Sequence, residues 1–215
     1  MNNLIDHTSL KATTLKKDVI KLCDEAKKYN FASVCINPVY VPLVKELLND
    51  SSVKVCTVIG FPLGANTTEI KIKETKKAIS DGADEIDMVI NIALALEHDY
   101  ELVEKEVSEV VKVCKKNKDI IVKVILETCY LSSKEIEEVS KCCARAGADF
   151  VKTSTGFGTD GAKEDDIILM KDSINDSMGI KASGGIRRKI DAKKMIIAGA
   201  TRIGTSSSVN IIDGK

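Results

Sequence analysis

DGADEI (81–86), AGADFV (146–151) and AGATRI (198–203) are one short motif written three times along a chain of 215 residues. In each copy a glycine follows a helical stretch and an alanine precedes a β-rich run. Glycine accepts the left-handed turn that ends a helix, and alanine lets an entering strand pack closely. The motif is therefore an αβ joint, and its repetition sets the phase of the chain. Around it, runs rich in Val and Ile recur: FASVCIN from 31, VKVCTVIG from 53, EIDMVIN from 85, IIVKVILE from 120, FVKTSTG from 150, GIKASGG from 179 and RIGTSS from 202. They are almost continuously apolar, as strands buried on both faces of a parallel sheet are. LIDHT (4–8) supplies a short eighth.

The segments between carry helical spacing, with about one helix per connection. Leu15, Val19, Leu22 and Ala26 share a face, as do Leu102/Val103, Val107, Val110/Val111 and Cys114. Ser132 with Glu135 reads as a capping box opening a helix whose buried stripe is Ile136, Val139 and Cys143. Eight strands alternating with helices fit a (β/α)8 TIM barrel spanning 1–215 as one domain, near the short end of the usual ~200 to >400 residues. No G-x-G-x-x-G joins a first strand to a helix, which disfavours a doubly wound open sheet.

Composition excludes several function classes. Acidic and basic side chains balance at 32 each, so no net charge draws the chain to nucleic acid or anionic membranes. No apolar run approaches the roughly 18 residues of a membrane span, and MNNLIDHTSLK lacks the pattern of a signal peptide. A cytoplasmic protein is expected. The seven cysteines include no C-x-x-C and fall mostly in apolar periods, as small buried hydrophobes in a reducing compartment do. With only His7 and His98 besides, no zinc-ligand spacing exists, and no metal or other cofactor is expected.

The informative residues are charges inside apolar strands: Asp87, Lys123, Lys152 and Lys181, with Glu127 ending its strand. Burying an unpaired charge costs several kcal/mol, so such residues are paired or at work. A barrel gathers its active site at the C-terminal strand ends, where these would converge. A free lysine has a pKa near 10.4, leaving about one amine in a few thousand neutral at pH 7. A second ammonium about 4 Å away costs roughly 4 kcal/mol at an effective dielectric of 20, enough to lower the pKa of one of the pair by about three pH units. Lys152 and Lys181, on neighbouring strands, could form such a pair and yield a nucleophilic amine for a Schiff base, with Asp87 moving protons. The residues alone leave open which lysine is the nucleophile.

The other half of a site lies in GFGTDGA (156–162), SGGIR (183–187) and GTSSS (204–208), whose backbone N–H groups and hydroxyls suit a phosphate. A phosphorylated small molecule is the expected partner. Thr155 opens the first of these loops and is counted with the substrate contacts. Cys35 and Asn37 share inward parity and are candidates to line the site. Lys123 and Glu127, four apart, read as a pair facing one side, supporting or touching substrate. Asp6, beside His7 and Thr8, is placed to fix the lysine network. His98 reads as solvated, and GFPLGANTTE (60–69) as a loop that shapes the pocket or only connects.

SVCINP (33–38), VIGFPLGA (58–65), GADEIDMVIN (82–91), VKVILET (122–128), FVKTSTGFGTDGA (150–162), IKASGGIR (180–187) and AGATRIGTSS (198–207) together resemble the deoxyribose-phosphate aldolase family. The resemblance runs along nearly the whole chain. It implies a (β/α)8 barrel and reversible, metal-free cleavage of 2-deoxy-D-ribose 5-phosphate to D-glyceraldehyde 3-phosphate and acetaldehyde. It implies Lys152 as the Schiff-base residue, Lys181 as the second, tuning lysine and Asp87 as the proton relay. It also implies phosphate contacts from Gly156, Gly184, Gly185, Ser206 and Ser207. Two departures stand out: IIDGK ends the sequence without the C-terminal tyrosine of some members, and Ser208 stands where many have glycine.

Two other readings compete. One is a phosphosugar isomerase or lyase using acid–base chemistry alone, and the other is a barrel that senses a sugar phosphate without converting it. A pure binder has no need of two adjacent buried ammonium groups. A homodimer is the default assembly for a barrel of this size.

Overall fold

The computed structural model describes residues 1–116 and 120–214. Eight strands, β1 (Ile5–Ser9), β2 (Ser33–Ile36), β3 (Lys54–Ile59), β4 (Glu85–Val89), β5 (Ile121–Ile125), β6 (Phe150–Lys152), β7 (Gly179–Ser183) and β8 (Arg202–Thr205), pair in chain order and all in parallel. The last strand closes on the first, making the expected (β/α)8 barrel. Helices α1 (Lys16–Tyr29), α2 (Val41–Leu47) and α3 (Thr68–Asp81) follow the first three strands. The β4–β5 connection departs from one helix per strand, holding both α4 (Ile92–Leu96) and α5 (Tyr100–Lys115). Then α6 (Ser133–Arg145), α7 (Glu164–Ser173), α8 (Lys189–Ala198) and α9 (Ser208–Asp213) complete the ring. Among the described residues no helix is long and apolar enough to cross a membrane.

Helical spacing placed most buried faces correctly. In α1, Val19, Leu22 and Ala26 are buried, whereas Leu15 lies outside the helix as its N-cap and is 53% exposed. Its N–H is held instead by the Asp18 carboxylate at 2.9 Å. In α5, Val103, Val107, Val110, Val111 and Cys114 face the barrel, and Leu102 faces water. The capping box of α6 is present: Glu135 N–H donates to Ser132 Oγ at 3.4 Å and Ser132 N–H to the Glu135 carboxylate at 2.6 Å. Each buried Val or Ile on these faces is worth roughly 1.5–3 kcal/mol.

The repeated joint does more than turn the chain. Gly82, Gly147 and Gly199 take φ of 108°, 82° and 126° after α3, α6 and α8. The next residue, Ala83, Ala148 or Ala200, donates its N–H back into the helix at 3.0, 3.1 and 2.9 Å. The third residue then bridges to the preceding strand in both directions. Asp84 donates N–H to Val55 O at 2.8 Å and accepts Val55 N–H on its carboxylate at 3.0 Å. Asp149 does the same to Val122 at 3.0 and 2.7 Å, and Thr201 to Ile180 at 2.9 and 3.1 Å. A fourth copy precedes β2 with different letters: Asn30 takes the left-handed turn at φ 53°, Phe31 donates to Ala26 O and Ala32 to Ile5 O. Four such joints therefore tie strands together at the N-terminal end of the barrel, three through a backbone and a side-chain bond and the fourth through backbone bonds alone.

Most of the apolar core lies between sheet and helices. Within the barrel, Leu10, Cys35, Cys56 and Val58 form a small separate cluster with Phe61 packed on it. Much of the remaining interior is charged.

Candidate active site

Register explains the convergence. Asp87 pairs with Lys123 across β4–β5 and Lys152 with Lys181 across β6–β7, and residues paired in register point to one side of a sheet. Asp87, at 0% exposure, accepts from Lys123 Nζ at 2.9 Å and, on its other oxygen, from Lys152 Nζ and Lys181 Nζ at 2.7 Å each. Lys181 also meets Asp6 at 2.5 Å, and Lys123 meets Glu85 at 2.5 Å. Arg202 closes the network from below, reaching Asp6 at 2.7 Å and Glu85 at 3.2 Å. Four cations thus face three carboxylates in one buried cluster.

These pairings overturn one electrostatic expectation. Burial alone would push the Lys181 ammonium down, but Asp6 and Asp87 outweigh it and hold it well above the usual lysine range. Lys123 behaves alike: burial is outweighed by Asp87, Cys56, Glu85 and Asp6. Burial would likewise raise Asp87 and Asp6, yet the surrounding cations keep both carboxyls well below their ordinary range. Mutual repulsion of two bare ammonium groups is therefore not the state of this cluster, because Asp87 stands between them.

Above the cluster opens a cavity of about 960 Å³ at the C-terminal strand ends, and Lys152 forms part of its wall. Thr155, Gly156, Gly184, Gly185 and Ser206 line it, as do His7 and Thr8. Gly156, Gly184 and Gly185 have φ of 87°, 83° and 77°, a backbone region that L side chains rarely adopt. A Cβ on Gly156 or Gly185 would meet nothing within 4 Å, so the space beside each is open.

Other expected contacts lie elsewhere. Asp6, Cys35 and Lys123 are fully buried below the cavity and do not line it. Lys123 and Glu127 do not act as a pair: Lys123 points into the cluster, whereas the Glu127 carboxylate accepts from Thr155. Ser207 caps α9 beside the lining Ser206, and its N–H donates to Thr205 Oγ1 at 2.9 Å. Ser208 is buried, its Oγ 2.8 Å from His7 Nδ1 and 3.1 Å from Thr205 O, which ties the exit of β8 to β1. Asn37 donates to Leu10 O at 3.3 Å. His98 is exposed and touches Glu135 at 3.1 Å. Of the 60–69 loop, Phe61 packs edge-on against the cavity residue Phe157, and Thr67 caps α3. Glu85 and Arg202, not singled out from the sequence, are members of the charged cluster; their inward parity with Asp87 and Lys181 was the available signal.

Two donor sets, Cys35/Cys56/Asp87 and Asp6/Cys56/Glu85, bring three ligand-type atoms within 4.8 Å of one another. A cation already sits among them: Lys123 Nζ lies 2.9 Å from Asp87, 2.5 Å from Glu85 and 3.4 Å from Cys56 Sγ. Burial and the neighbouring Cys35 and Asp87 push the Cys56 thiol well up, against the thiolate a metal needs.

Residues 1–213 match the family model described as DeoC/LacD family aldolase. The chain is 55% identical over 210 residues to the deoxyribose-phosphate aldolase of Caldanaerobacter subterraneus subsp. tengcongensis, covering 98% of this chain and 91% of that one. It is 52% identical to that of Treponema denticola, covering 100% and 99%. Among solved structures, the tetrameric deoxyribose phosphate aldolase from Aeropyrum pernix superposes with a TM-score of 0.92 at 39% identity, covering 99% of this chain and 89% of that one.

Proposed function

The chain belongs to the DeoC/LacD aldolase family, and from that membership we propose that it cleaves 2-deoxy-D-ribose 5-phosphate reversibly to D-glyceraldehyde 3-phosphate and acetaldehyde through an imine on Lys152. Relatives bearing the name deoxyribose-phosphate aldolase over nearly the full chain support this substrate. The observation that carries the imine is the position of Lys152. Of the seven charged residues in the buried cluster, it is the one that lines the cavity, while its Nζ stays 2.7 Å from Asp87.

With all groups ionised the cluster carries one positive charge in excess, and Lys152 is the member of it that substrate can reach. The free amine adds to the C1 aldehyde, and the carbinolamine loses water to give an iminium. The C3 hydroxyl then surrenders its proton and the C2–C3 bond breaks. Its electron pair moves to C2 as an enamine, and C3 departs as the aldehyde of glyceraldehyde 3-phosphate. Protonation at C2 and hydrolysis release acetaldehyde and restore the amine. Asp87, touching both lysines, is the group to pass protons to and from Lys152, and Lys181 backs it as a held cation.

The phosphate goes to Gly156, Gly184, Gly185 and Ser206, where glycine turns and a hydroxyl border the open space, with Ser207 next in the chain. The reaction belongs to the breakdown of deoxyribose phosphates in the cytoplasm. The assembly is a homo-oligomer, a dimer by default, although the Aeropyrum pernix relative is described as tetrameric.

The test is borohydride trapping with 2-deoxyribose 5-phosphate followed by peptide mass mapping. A substrate-dependent adduct on Lys152, absent in Lys152→Ala, is the expected result. An adduct on Lys181 would reverse the lysine roles. Binding without any adduct would sink the imine and favour acid–base isomerisation or metabolite sensing.

A further inference from the structure

Glu127 holds a left-handed conformation, φ 56° and ψ 61°, two residues past the end of β5. Glycine, and less often asparagine or aspartate, takes this region, and a longer side chain there marks a position fixed by something else. The side chain shows what fixes it. Glu127 is 2% exposed, and both carboxylate oxygens are engaged by one residue of the next loop. Thr155 N–H donates to Oε1 at 3.0 Å, and the Thr155 hydroxyl donates to Oε2. The same hydroxyl accepts Phe157 N–H at 3.0 Å. The loop closes tightly over this carboxylate: a Cβ on Gly158 would come within 2.7 Å of Cys129 Sγ and 3.1 Å of Glu127 Cδ. Thr155, Gly156 and Phe157 all line the cavity, and Glu127 does not.

We propose that Glu127 is a positioning residue that holds the Thr155–Phe157 wall in place and so sets the affinity for the phosphate-bearing substrate, without sharing in bond making or breaking. This rests on the aldolase reading above. Thr155 is correspondingly committed: its hydroxyl proton belongs to Glu127, so toward a substrate it offers only an acceptor.

Glu127→Gly tests this, because glycine takes the left-handed turn at ease while the whole side chain, carboxylate included, is removed. The expected variant melts a few degrees lower than the parent but still unfolds cooperatively, and KM for 2-deoxyribose 5-phosphate rises at least tenfold while kcat stays within threefold. Borohydride capture of acetaldehyde on Lys152, which uses no phosphate, is unchanged, and Glu127→Gln recovers part of the loss in KM. Hydrogen exchange at the Thr155 and Phe157 amides quickens in Glu127→Gly, a reading that needs no turnover. Unchanged exchange overturns the proposal, as does faster exchange with unchanged KM, a fall in kcat without a rise in KM, or loss of acetaldehyde capture. An inactive parent protein would instead count against the aldolase reading, and the exchange rates would still decide whether Glu127 holds the loop.

Discussion

Replacing Asp87 by asparagine separates imine formation from turnover. The two side chains have nearly the same volume, so packing is kept while the carboxylate between Lys123, Lys152 and Lys181 is lost. Lys152 and Lys181 both reach one oxygen from 2.7 Å. Their nitrogens therefore lie roughly 5 Å apart, worth about 3 kcal/mol of repulsion at an effective dielectric of 20. Without the anion, that repulsion favours loss of one proton from the pair by about two powers of ten. Lys152 is the one of the two that opens on the cavity, where substrate reaches it. Capture of 2-deoxyribose 5-phosphate by borohydride on Lys152 should therefore persist, while turnover falls by about 10²–10⁴ with the proton carrier gone. Uncompensated buried cations also destabilise the fold by roughly 3–5 kcal/mol. The companion variant Asp87→Asn/Lys123→Met restores an excess of one positive charge and keeps the experiment readable. Glyceraldehyde 3-phosphate release and mass mapping are the assays. Turnover within threefold of the parent, in either variant that unfolds cooperatively, would refute the argument, and so would loss of the adduct.

Lys71, fully buried, donates to Val89 O and to Glu106, each at 2.8 Å, and Lys71→Met strands both acceptors. The expected cost is about 3–5 kcal/mol, or roughly 6–20 °C in Tm for a chain of this size, and Lys71→Met/Glu106→Gln, which removes the stranded charge and still accepts Asn91 N–H, should recover part of it; additive losses would contradict this. Asp149→Ala removes the acceptor of Val122 N–H at 2.7 Å and should cost about 1–3 kcal/mol while leaving kcat/KM per folded molecule unchanged. Stability should be flat only between about pH 7 and pH 8, because above that the thiols of Cys23, Cys56, Cys114, Cys142 and Cys143, all pushed up by burial, lose their contribution as the unfolded chain's thiols ionise. Below that window His7, whose pKa burial pushes down despite Glu25, and then Asp6 and Asp87, held low by their cations, lose their contribution as pH falls. Above it Lys123 and Lys181, held high by carboxylates, lose theirs as pH rises. A Tm that climbs steadily from pH 5 down to pH 3 would contradict these signs.

Asp87, Lys152 and Lys181 were legible in the sequence because a charge in a strand buried on both faces has no ordinary explanation. Glu85 and Arg202 were not, since a charge opening a strand is unremarkable until the register shows it pointing inward. Lys71 and Glu106 hid for a similar reason, as helices carry many charges and only the packing of α3 on α5 buries these two. Asp6 was expected beside the lysines and meets Lys181 there, but the electrostatics of the pair went astray because only the barrel's closure shows Asp87 standing between Lys152 and Lys181. Three joints announced themselves as G-A-x, and the fourth, Asn30-Phe31-Ala32, makes the same backbone bonds with none of the same letters. Glu127 was noticed for its charge, but its left-handed turn and its grip on Thr155 depend on how two loops meet.

The four joints and the cavity use opposite ends of the same strands. What fixes the spacing of the barrel is backbone bonding and a few Asp and Thr side chains at one rim, and what meets a substrate is loop sequence at the other. The molecule is thus divided into a chassis and a tool. Loops such as 155–158 or 183–187 can be exchanged while the rim below keeps its bonds, so new substrates can be explored from a frame that is already secured.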